Sequence, residues 1–457
     1  MLQLSIKPHR TYLRANAGPQ KLFVMLKMLP STEAAGARPN VNLAVVMDTS
    51  GSMREPAPGA DIRVIPAEPV VVDGKTYNGA FEGSTKLDVA MEAARKLIDS
   101  KSLQPDDTVA LIQFEDESTV VARGQPGRDR AALAEGIESL TRYSGGTQMG
   151  KGLRNAEIVL REEEDAARKV LLLTDGLAVD EAECRAAAGA LAELRAPIVA
   201  LGVGEEYNED LLTEICNLSL GRPYDLRDMT SLPQVFEAEL GSTANQVISD
   251  VRVTLRTVHG VRLASAMRAY PSLADVDASR EPLALGSIEA GDHTVFILEF
   301  DLPERPPLRA RLAQLGTTYQ VPAQQYRGEI APQDLTVEFT DDEALAAQVD
   351  PEVMGYVQQR NVDNLVRQAT EQAKHNPEQA GKTLQLARSM TQRLGNSGMT
   401  MAIGKAEEEL RSTGTIAVGT SKTIKLGSRT QTMKVAGPEV TSGELPSEEE
   451  IRRVTGA

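Results

Sequence analysis

The sequence predicts a Rossmann-like α/β domain inserted into an antiparallel β-sandwich, followed by a small helical bundle and a flexible tail. Strand-like and helix-like patterns alternate over residues 37–242, which is typical of a mostly parallel sheet covered on both faces. The flanking segments 1–36 and 243–340 contain short alternating runs of apolar and polar residues, which indicate antiparallel strands. Residues 341–412 are rich in helix formers, and residues 413–457 are rich in Thr, Ser and Gly.

The N-terminal segment predicts two strands with one covered face. Apolar residues occupy alternate positions from Leu2 to Ile6 and again from Leu22 to Met28. A two-stranded pair is marginally stable alone, so these strands need partners from elsewhere in the chain. We therefore expect 1–36 and 243–340 to form one discontinuous sandwich, into which the domain 37–242 is inserted through two close connections.

The inserted domain is organised around an apolar run that ends in polar side chains. Val41–Met47 is followed directly by Asp48, and Ser50 and Ser52 come next. Short apolar runs rich in β-branched residues are typical of strands buried on both faces. These side chains are therefore expected at the carboxyl end of a central strand, where open α/β sheets bind ligands.

Two later segments carry the same chemistry. Residues 144–147 form a Gly-rich stretch that ends in Thr147, and the apolar run 170–173 is followed by Thr174 and Asp175. All the candidate side chains are hard oxygen donors. The absence of His and Cys among them argues against zinc. Mg²⁺ takes few direct protein ligands and keeps several waters, so hydroxyls supported by carboxylates would suit it. Mn²⁺ and Ca²⁺ are alternatives.

The five residues together resemble the metal-ion-dependent adhesion site of von Willebrand factor A (vWA) domains. The resemblance lies in their identity, order and predicted positions: Asp48, Ser50, Ser52, Thr147 and Asp175. It implies that the two serines bind the metal directly. The two aspartates would support these ligands without contacting the metal themselves. It also implies that the threonine binds directly or through water, and that a partner's Asp or Glu fills the remaining position.

Each fragment of this pattern also has an ordinary interpretation. Asp and Ser at a strand end are common turn and N-cap residues, Thr147 could cap the next helix, and Asp175-Gly176 is a common turn.

Between Ser52 and Thr85 lies an insertion rich in Pro and Gly, with a predicted hairpin around Asp73-Gly74. The insertion is either part of the rim around the ion or a tolerated surface loop.

The last two segments predict helices and then a mobile tail. Asp350-Pro351 and Asn376-Pro377 are typical helix starts. In the tail, threonines lie among Lys and Arg residues, which suits the acidic cleft of many Ser/Thr kinases. Candidate phosphorylation sites are Thr423, Thr420 and Thr430, and Thr423 with Leu426 resembles the ligands of forkhead-associated domains. The alternative is an unmodified solvated tail or a strand that adds to a sheet edge.

Composition limits the function classes. The chain has 457 residues and a formal charge of −16, which disfavours nucleic acid and anionic membranes as main partners. No run approaches the ~18 apolar residues of a membrane span, so a cytoplasmic location is expected. Cys184 and Cys216 are expected to be buried thiols rather than a disulfide. The four His residues are scattered over the predicted domains, and no phosphate-binding Gly-rich motif is present.

The sequence therefore favours a non-enzymatic scaffold protein that uses Mg²⁺ to bind a partner's carboxylate. This protein could act with a Ser/Thr kinase and a forkhead-associated-domain protein. An alternative is an adaptor or co-chaperone of a MoxR- or chelatase-type AAA+ ATPase, a role that vWA domains also have. A metal-dependent hydrolase is less favoured, because no general base is evident near the metal residues.

Overall fold

A computed structural model of the chain describes residues 1–36, 38–65, 70–72, 75–77, 80–162 and 166–435. By their internal contacts, the residues divide into two units. Unit 1 consists of Met1–Gly36, Ile248–Val321 and the chain from Tyr326 onward, and unit 2 consists of Ala37–Val247 with Pro322–Gln325. None of the helices in the described residues combines the length and apolar character that a membrane crossing requires.

The first elements belong to unit 1: β1 (Leu2–Pro8), β2 (Tyr12–Arg14), β3 (Gln20–Pro30) and the short helix α1 (Thr32–Ala35).

Unit 2 contains alternating strands and helices. They are β4 (Val41–Asp48), β5 (Arg63–Ile65), β6 (Val70–Val72), β7 (Lys75–Tyr77), β8 (Ala80–Glu82), α2 (Lys86–Ile98), β9 (Thr108–Phe114), β10 (Ser118–Gly124), α3 (Pro126–Ser139), α4 (Met149–Leu160), β11 (Ala167–Thr174), α5 (Glu181–Glu193), β12 (Ile198–Val203), α6 (Glu209–Leu218), β13 (Arg222–Leu226) and α7 (Leu232–Ala244).

The chain then returns to strands and ends in helices. The strands are β14 (Gln246–Thr257), β15 (Arg262–Tyr270), β16 (Ala274–Val276), β17 (Leu283–Glu289), β18 (Thr294–Leu302), β19 (Leu308–Val321) and β20 (Tyr326–Thr340). The helices are α8 (Glu343–Ala346), α9 (Pro351–Gln372), α10 (Pro377–Arg393), α11 (Ser397–Thr413) and α12 (Val418–Thr430).

The main sheet of unit 2 has the strand order β10-β9-β4-β11-β12-β13. β4 pairs in parallel with β9 on one side and β11 on the other, and β10 is an antiparallel edge strand. All residues of β4, β9, β11 and β12 are buried, as expected for strands covered on both faces. The sheet therefore brings the carboxyl ends of β4 and β11 side by side.

The two faces of β4 are covered by different helices. Val45 and Met47 belong to a core cluster with side chains of α2 and α7. On the other face, α4 approaches so closely that a Cβ on Gly152 would lie 2.8 Å from Cγ1 of Val46. Because glycine permits this approach, α4 begins close to the end of β4.

Unit 1 contains two five-stranded sheets, with the orders β1-β3-β18-β15-β16 and β17-β14-β19-β20-β2. Both sheets combine N-terminal strands with strands that follow residue 245. All of β18 pairs antiparallel with residues 20–28 of β3, whereas β2 pairs in parallel with β20. The two cysteines of unit 2 are both buried.

The helices α9 to α12 pack around a core of their own, which includes Leu365, Leu384, Ile403 and Ile424. α9 and α10 begin at the predicted caps, because the Asp350 and Asn376 side chains accept hydrogen bonds from backbone N–H groups of the first turn. At the start of α2, Thr85 and Asp88 form a capping box.

The prediction of a flexible tail over 413–457 is wrong for residues 418–430, which form α12. Ile424 and Leu426 are buried, and the helix is anchored by packing rather than by its own propensity. A Cβ on Gly427 would lie 2.9 Å from the Met399 sulfur, so the small residues of this segment permit close packing. Residues 436–457 lie outside the described residues.

The two ends of the insertion 54–84 lie side by side and are joined by backbone hydrogen bonds. Ala57 N–H donates to Ser84 O at 3.0 Å, and Lys86 N–H donates to Glu55 O at 3.0 Å. The predicted hairpin strands are present as the antiparallel pair β6 and β7. The Asp73-Gly74 turn itself lies outside the described residues.

Candidate metal centre

Three segments of unit 2 meet at the carboxyl ends of β4 and β11. The loop after β4 is joined to the Gly-rich loop by a hydrogen bond from Gly51 N–H to Gly145 O, 3.2 Å long. The loop after β11 is joined to the same Gly-rich loop by a hydrogen bond from Val179 N–H to Thr147 O, also 3.2 Å long. The predicted site residues are therefore carried by loops that are in direct contact.

Asp48 is the most deeply placed of the five predicted residues, with no exposed surface. Its Oδ1 accepts the Ser50 backbone N–H at 2.9 Å, and its Oδ2 accepts the Thr174 hydroxyl at 2.7 Å. Burial, together with the nearby Asp175 carboxylate, raises the pKa of Asp48 to about 7, although these hydrogen bonds act in the opposite direction. The carboxylate is fixed in orientation and costly to ionise without a nearby cation.

Ser50, Ser52 and Asp175 form a chain of hydrogen bonds. The two serine Oγ atoms lie 3.1 Å apart, and the Ser52 hydroxyl donates to Asp175 Oδ1 at 2.7 Å. A hydroxyl that donates its proton to a carboxylate directs its lone pairs elsewhere, so the Ser52 oxygen remains able to accept a cation. Four of the five predicted residues are thus in one cluster.

Thr147 is connected to this cluster through the loop after β11. A Cβ built on Gly176 would lie 3.2 Å from the Thr147 Oγ1, which places the threonine beside the residue that follows Asp175. The structure links the other four side chains by hydrogen bonds, whereas Thr147 is linked through this neighbour. Glycine at 176 leaves space for the Thr147 hydroxyl.

Lys86 is part of the site and was not predicted from the sequence. Its Nζ donates to Asp175 Oδ2 at 2.6 Å and to Glu55 Oε2 at 2.9 Å. Burial alone would lower the pKa of the Lys86 ammonium, but Asp175 and Glu55 outweigh it and raise the pKa. One signal was available: a lysine in the first turn of α2 lies at the positive end of the helix dipole, where it needs acidic partners.

Two further acidic side chains flank the Gly-rich loop. A Cβ on Gly145 would lie 2.0 Å from Glu115 Oε2, and a Cβ on Gly146 would lie 2.6 Å from Asp116 Oδ1. Any other residue at these positions would displace the carboxylates or the loop. The end of the sheet therefore carries carboxylates from β4, β11 and the turn after β9.

The donor set suits a hard cation. It consists of hydroxyl and carboxylate oxygens, which are the ligands that Mg²⁺ and Ca²⁺ prefer. The described residues contain no group of three or more His, Cys, Asp or Glu side chains that could hold a metal ion. A cation here would therefore depend on the hydroxyls of Ser50 and Ser52.

The three predicted phosphorylation sites lie in α12. Thr420 is buried and donates to Glu409 Oε1 at 2.8 Å. Thr423 and Thr430 are partly buried and donate to the backbone oxygens of Gly419 and Leu426 at 3.0 and 3.1 Å. All three hydroxyls therefore belong to folded helix rather than to an accessible tail.

The family model for the von Willebrand factor type A domain matches residues 43–177, which include all five predicted metal residues. The chain therefore contains a vWA domain, and this part of the prediction is confirmed. The metal, the partners and the role of the domain stay predictions.

One similar protein matches a longer part of the chain than the family model does. The uncharacterized protein sll0103 of Synechocystis sp. is 24% identical over 257 residues, which are 54% of this chain and 60% of that protein. The chain thus matches about three fifths of the length of this relative.

Two solved structures share the fold over almost the whole chain. The von Willebrand factor type A protein from Catenulispora acidiphila has a TM-score of 0.76, at 18% identity over 94% of this chain and 97% of that one. The ArnB paralog VWA2 from Sulfolobus acidocaldarius has a TM-score of 0.59, at 14% identity over 95% of this chain and 100% of that one. At these identities the likeness shows the fold alone.

Proposed function

We propose that this protein is a non-enzymatic scaffold protein whose vWA domain uses a divalent cation to bind a carboxylate of a protein partner. The hydrogen-bonded chain Ser50–Ser52–Asp175 beside the buried Asp48 carries the proposal. Mg²⁺ is the preferred ion, because it binds few protein oxygens directly and keeps exchangeable waters. Mn²⁺ and Ca²⁺ are alternatives with the same donor preference.

The residues have distinct roles in this proposal. Ser50 and Ser52 provide the direct ligands, and Thr147 binds directly or through water. Asp48 and Asp175 accept hydrogen bonds from the groups around them and supply negative charge from behind the hydroxyls. A partner's Asp or Glu replaces one of the waters, so the bound cation links the two proteins.

The composition of unit 2 favours binding over hydrolysis. The four His residues of the chain, at positions 9, 259, 293 and 375, all belong to unit 1. Hydrolysis at a metal site usually needs a general base near the attacking water, and imidazole most often supplies it. Unit 2 offers no imidazole for that task.

The partner can be identified by affinity capture from the native host. Tagged wild-type protein and the Ser50→Ala variant are used in Mg²⁺ and in chelator. Ser231→Ala is the control, because Ser231 is exposed in the same unit and its hydroxyl donates to Asp228 O, away from the predicted metal residues. We expect one partner to be retained by wild type and the control in Mg²⁺, and lost in chelator or with Ser50→Ala.

Recovery of a Ser/Thr kinase or a forkhead-associated-domain protein assigns the scaffold to phosphothreonine signalling. Recovery of an AAA+ subunit assigns it to the adaptor class. A partner captured equally in Mg²⁺, in chelator and by Ser50→Ala would contradict the metal-dependent mechanism.

A further inference from the structure

The segment that follows α12, residues 431–435, is bound to the surface of unit 1 without forming helix or strand. The side-chain amide of Gln359 in α9 forms two hydrogen bonds to the backbone of Met433. Its Nε2 donates to Met433 O at 2.7 Å, and its Oε1 accepts Met433 N–H at 2.7 Å. One glutamine thus satisfies both backbone groups of a residue that has no secondary-structure partner.

Further hydrogen bonds hold the segment on both sides of Met433. The N–H of Val435 donates to the Tyr356 hydroxyl at 3.3 Å. The Thr432 hydroxyl donates to Pro271 O at 2.6 Å, in the turn between β15 and β16. The contact at Val435 uses the backbone of the segment, whereas the contact at Thr432 requires a side-chain hydroxyl.

Two side chains of the segment fit specific positions. Val435 packs against the apolar cluster that includes Tyr356 and Val357, and a Cβ on Gly355 would lie only 2.6 Å from the Val435 Cγ1. The absence of a side chain at 355 therefore creates the space that Val435 fills. Lys434 Nζ lies 2.6 Å from Asp292 Oδ1, in an exposed ion pair.

The segment differs from the helix that precedes it. In α12, Ile424 is fully buried and the Arg429 side chain, 4% exposed, bonds to Asp275. Beyond it, Gln431 and Lys434 are exposed and the other three residues are only partly buried. The segment is attached mainly by hydrogen bonds and an exposed ion pair, which individually contribute little.

We propose that Gly355, Tyr356, Gln359, Pro271 and Asp292 form a peptide-binding groove, and that residues 431–435 are its displaceable ligand, bound within the same chain. The groove recognises a peptide through the backbone at Gln359 and Tyr356. It selects a basic residue facing Asp292 and a branched apolar residue over Gly355. Peptide-recognition sites commonly combine backbone hydrogen bonds with side-chain pockets in this way.

A labelled peptide can test the groove in the full-length protein. The peptide carries the sequence of residues 429–437 and a fluorophore, and its binding is measured by anisotropy. In wild type the tethered segment competes at a high effective concentration, so the peptide binds weakly. In the variant Lys434→Glu/Val435→Asp the segment no longer fits, and we expect the peptide to bind at least ten-fold more tightly.

Two further variants establish where the peptide binds. Gly355→Val, added to the opened variant, fills the space for Val435 and should abolish the gain. Gly381→Val is the matched control, because a Cβ at this helical glycine meets only Leu410 Cδ2 at 3.9 Å. A peptide that carries the same two substitutions as the opened variant should not bind.

Hydrogen exchange in the intact protein gives an independent measurement. The amide of Met433 should be protected in wild type, and Gln359→Ala should remove that protection while leaving α12 protected. The proposal is overturned if the opened variant binds the peptide no better than wild type, or if the Met433 amide exchanges equally in wild type and Gln359→Ala. A wild-type dimer that Val435→Asp dissociates would overturn binding within the same chain, since the segment would then be exchanged between copies.

Discussion

The Lys86 ammonium lies 2.6 Å from Oδ2 of Asp175, whose other oxygen accepts the Ser52 hydroxyl. Asp175 thus connects a positive charge supplied by the protein to the hydroxyls that would bind a divalent cation. Lys86 neutralises part of the negative charge of the site and reduces the attraction for a second cation. In the proposed metal site, Lys86 would therefore influence the affinity for the cation together with the five residues of the motif.

The variant Lys86→Gln should bind Mg²⁺ more tightly than wild type, because a competing positive charge is removed. In chelator it should be less stable by about 3–5 kcal/mol, since Asp175 loses the partner of a buried ion pair. Calorimetry and urea unfolding measure the two effects. Lys96→Gln is the control, because Lys96 is 60% exposed in the same helix. Unchanged Mg²⁺ affinity in Lys86→Gln would show that Lys86 does not regulate the site.

The variant Asp48→Asn should be more stable than wild type in chelator and should lose the stabilisation by divalent cations. The pKa of Asp48 is raised from 3.8 to about 7 by burial and by Asp175. The folded protein therefore retains a proton that the unfolded chain releases, and this lowers stability as the pH rises from 3.8 to about 7.

Thermal unfolding at several pH values, with and without Mg²⁺, measures both effects of this substitution. In chelator the advantage of Asp48→Asn should grow with pH and level off above about 7. An advantage that is independent of pH would contradict the assignment to the Asp48 carboxyl.

A second buried charge gives the opposite pH dependence. Burial alone would raise the pKa of Glu239, but Lys169 at 2.8 Å and Arg222 at 3.4 Å outweigh it and lower the pKa to about 2. Glu239 therefore stabilises the fold above its ordinary pKa of 4.5, and this contribution is lost as the pH falls towards about 2.

Glu239→Gln should lower stability at pH 7 by about 3–5 kcal/mol, because Lys169 is left buried without its charged partner. The double variant Lys169→Met/Glu239→Leu should recover most of this loss. Guanidinium unfolding of Lys169→Met, Glu239→Leu and the double variant measures the coupling. Additive losses in the double variant would show that the two charges act independently.

Phosphorylation of the tail threonines should require α12 to leave its packing site, because their hydroxyls are bonded within the folded helix. Ile424→Ala removes a fully buried side chain of α12 and should increase the rate of modification of Thr423 by a Ser/Thr kinase. Mass spectrometry after timed incubation measures the rate. Val418→Ala, at a position 58% exposed, should leave it unchanged. Equal rates in all three proteins would show that the packing of α12 does not control access.

The strand ends that carry Asp48 and Asp175 can be located from the sequence, because an apolar run precedes each of these residues. Such runs have a local pattern that can be recognised within a few residues. Lys86 was missed because its partners lie at positions 55 and 175, and an ion pair between distant positions leaves no periodic pattern.

The tail helix was missed for a related reason. α12 has no side-chain N-cap of its own. Instead, Glu409 of α11 accepts hydrogen bonds from the Ala417 N–H and the Thr420 hydroxyl. The Gly, Ser and Thr residues of α12 have low helix propensity. The packing of Ile424 against the other helices compensates for this. Tertiary contacts therefore decided the structure of a segment whose composition suggested disorder.

The pairing of β3 with β18 determines the order in which the nascent protein can fold. Met28 is paired with Thr294, and Tyr12 of β2 is paired with Glu338 of β20. When the ribosome has synthesised residues 37–247, all six strands of the main sheet of unit 2 are present, but β2 and β3 still lack their later partners β20 and β18. During that interval the N-terminal strands have open edges, which can pair with other chains. The discontinuous architecture thus leaves the strands of residues 12–30 exposed to incorrect pairing until residues 294–340 have been synthesised.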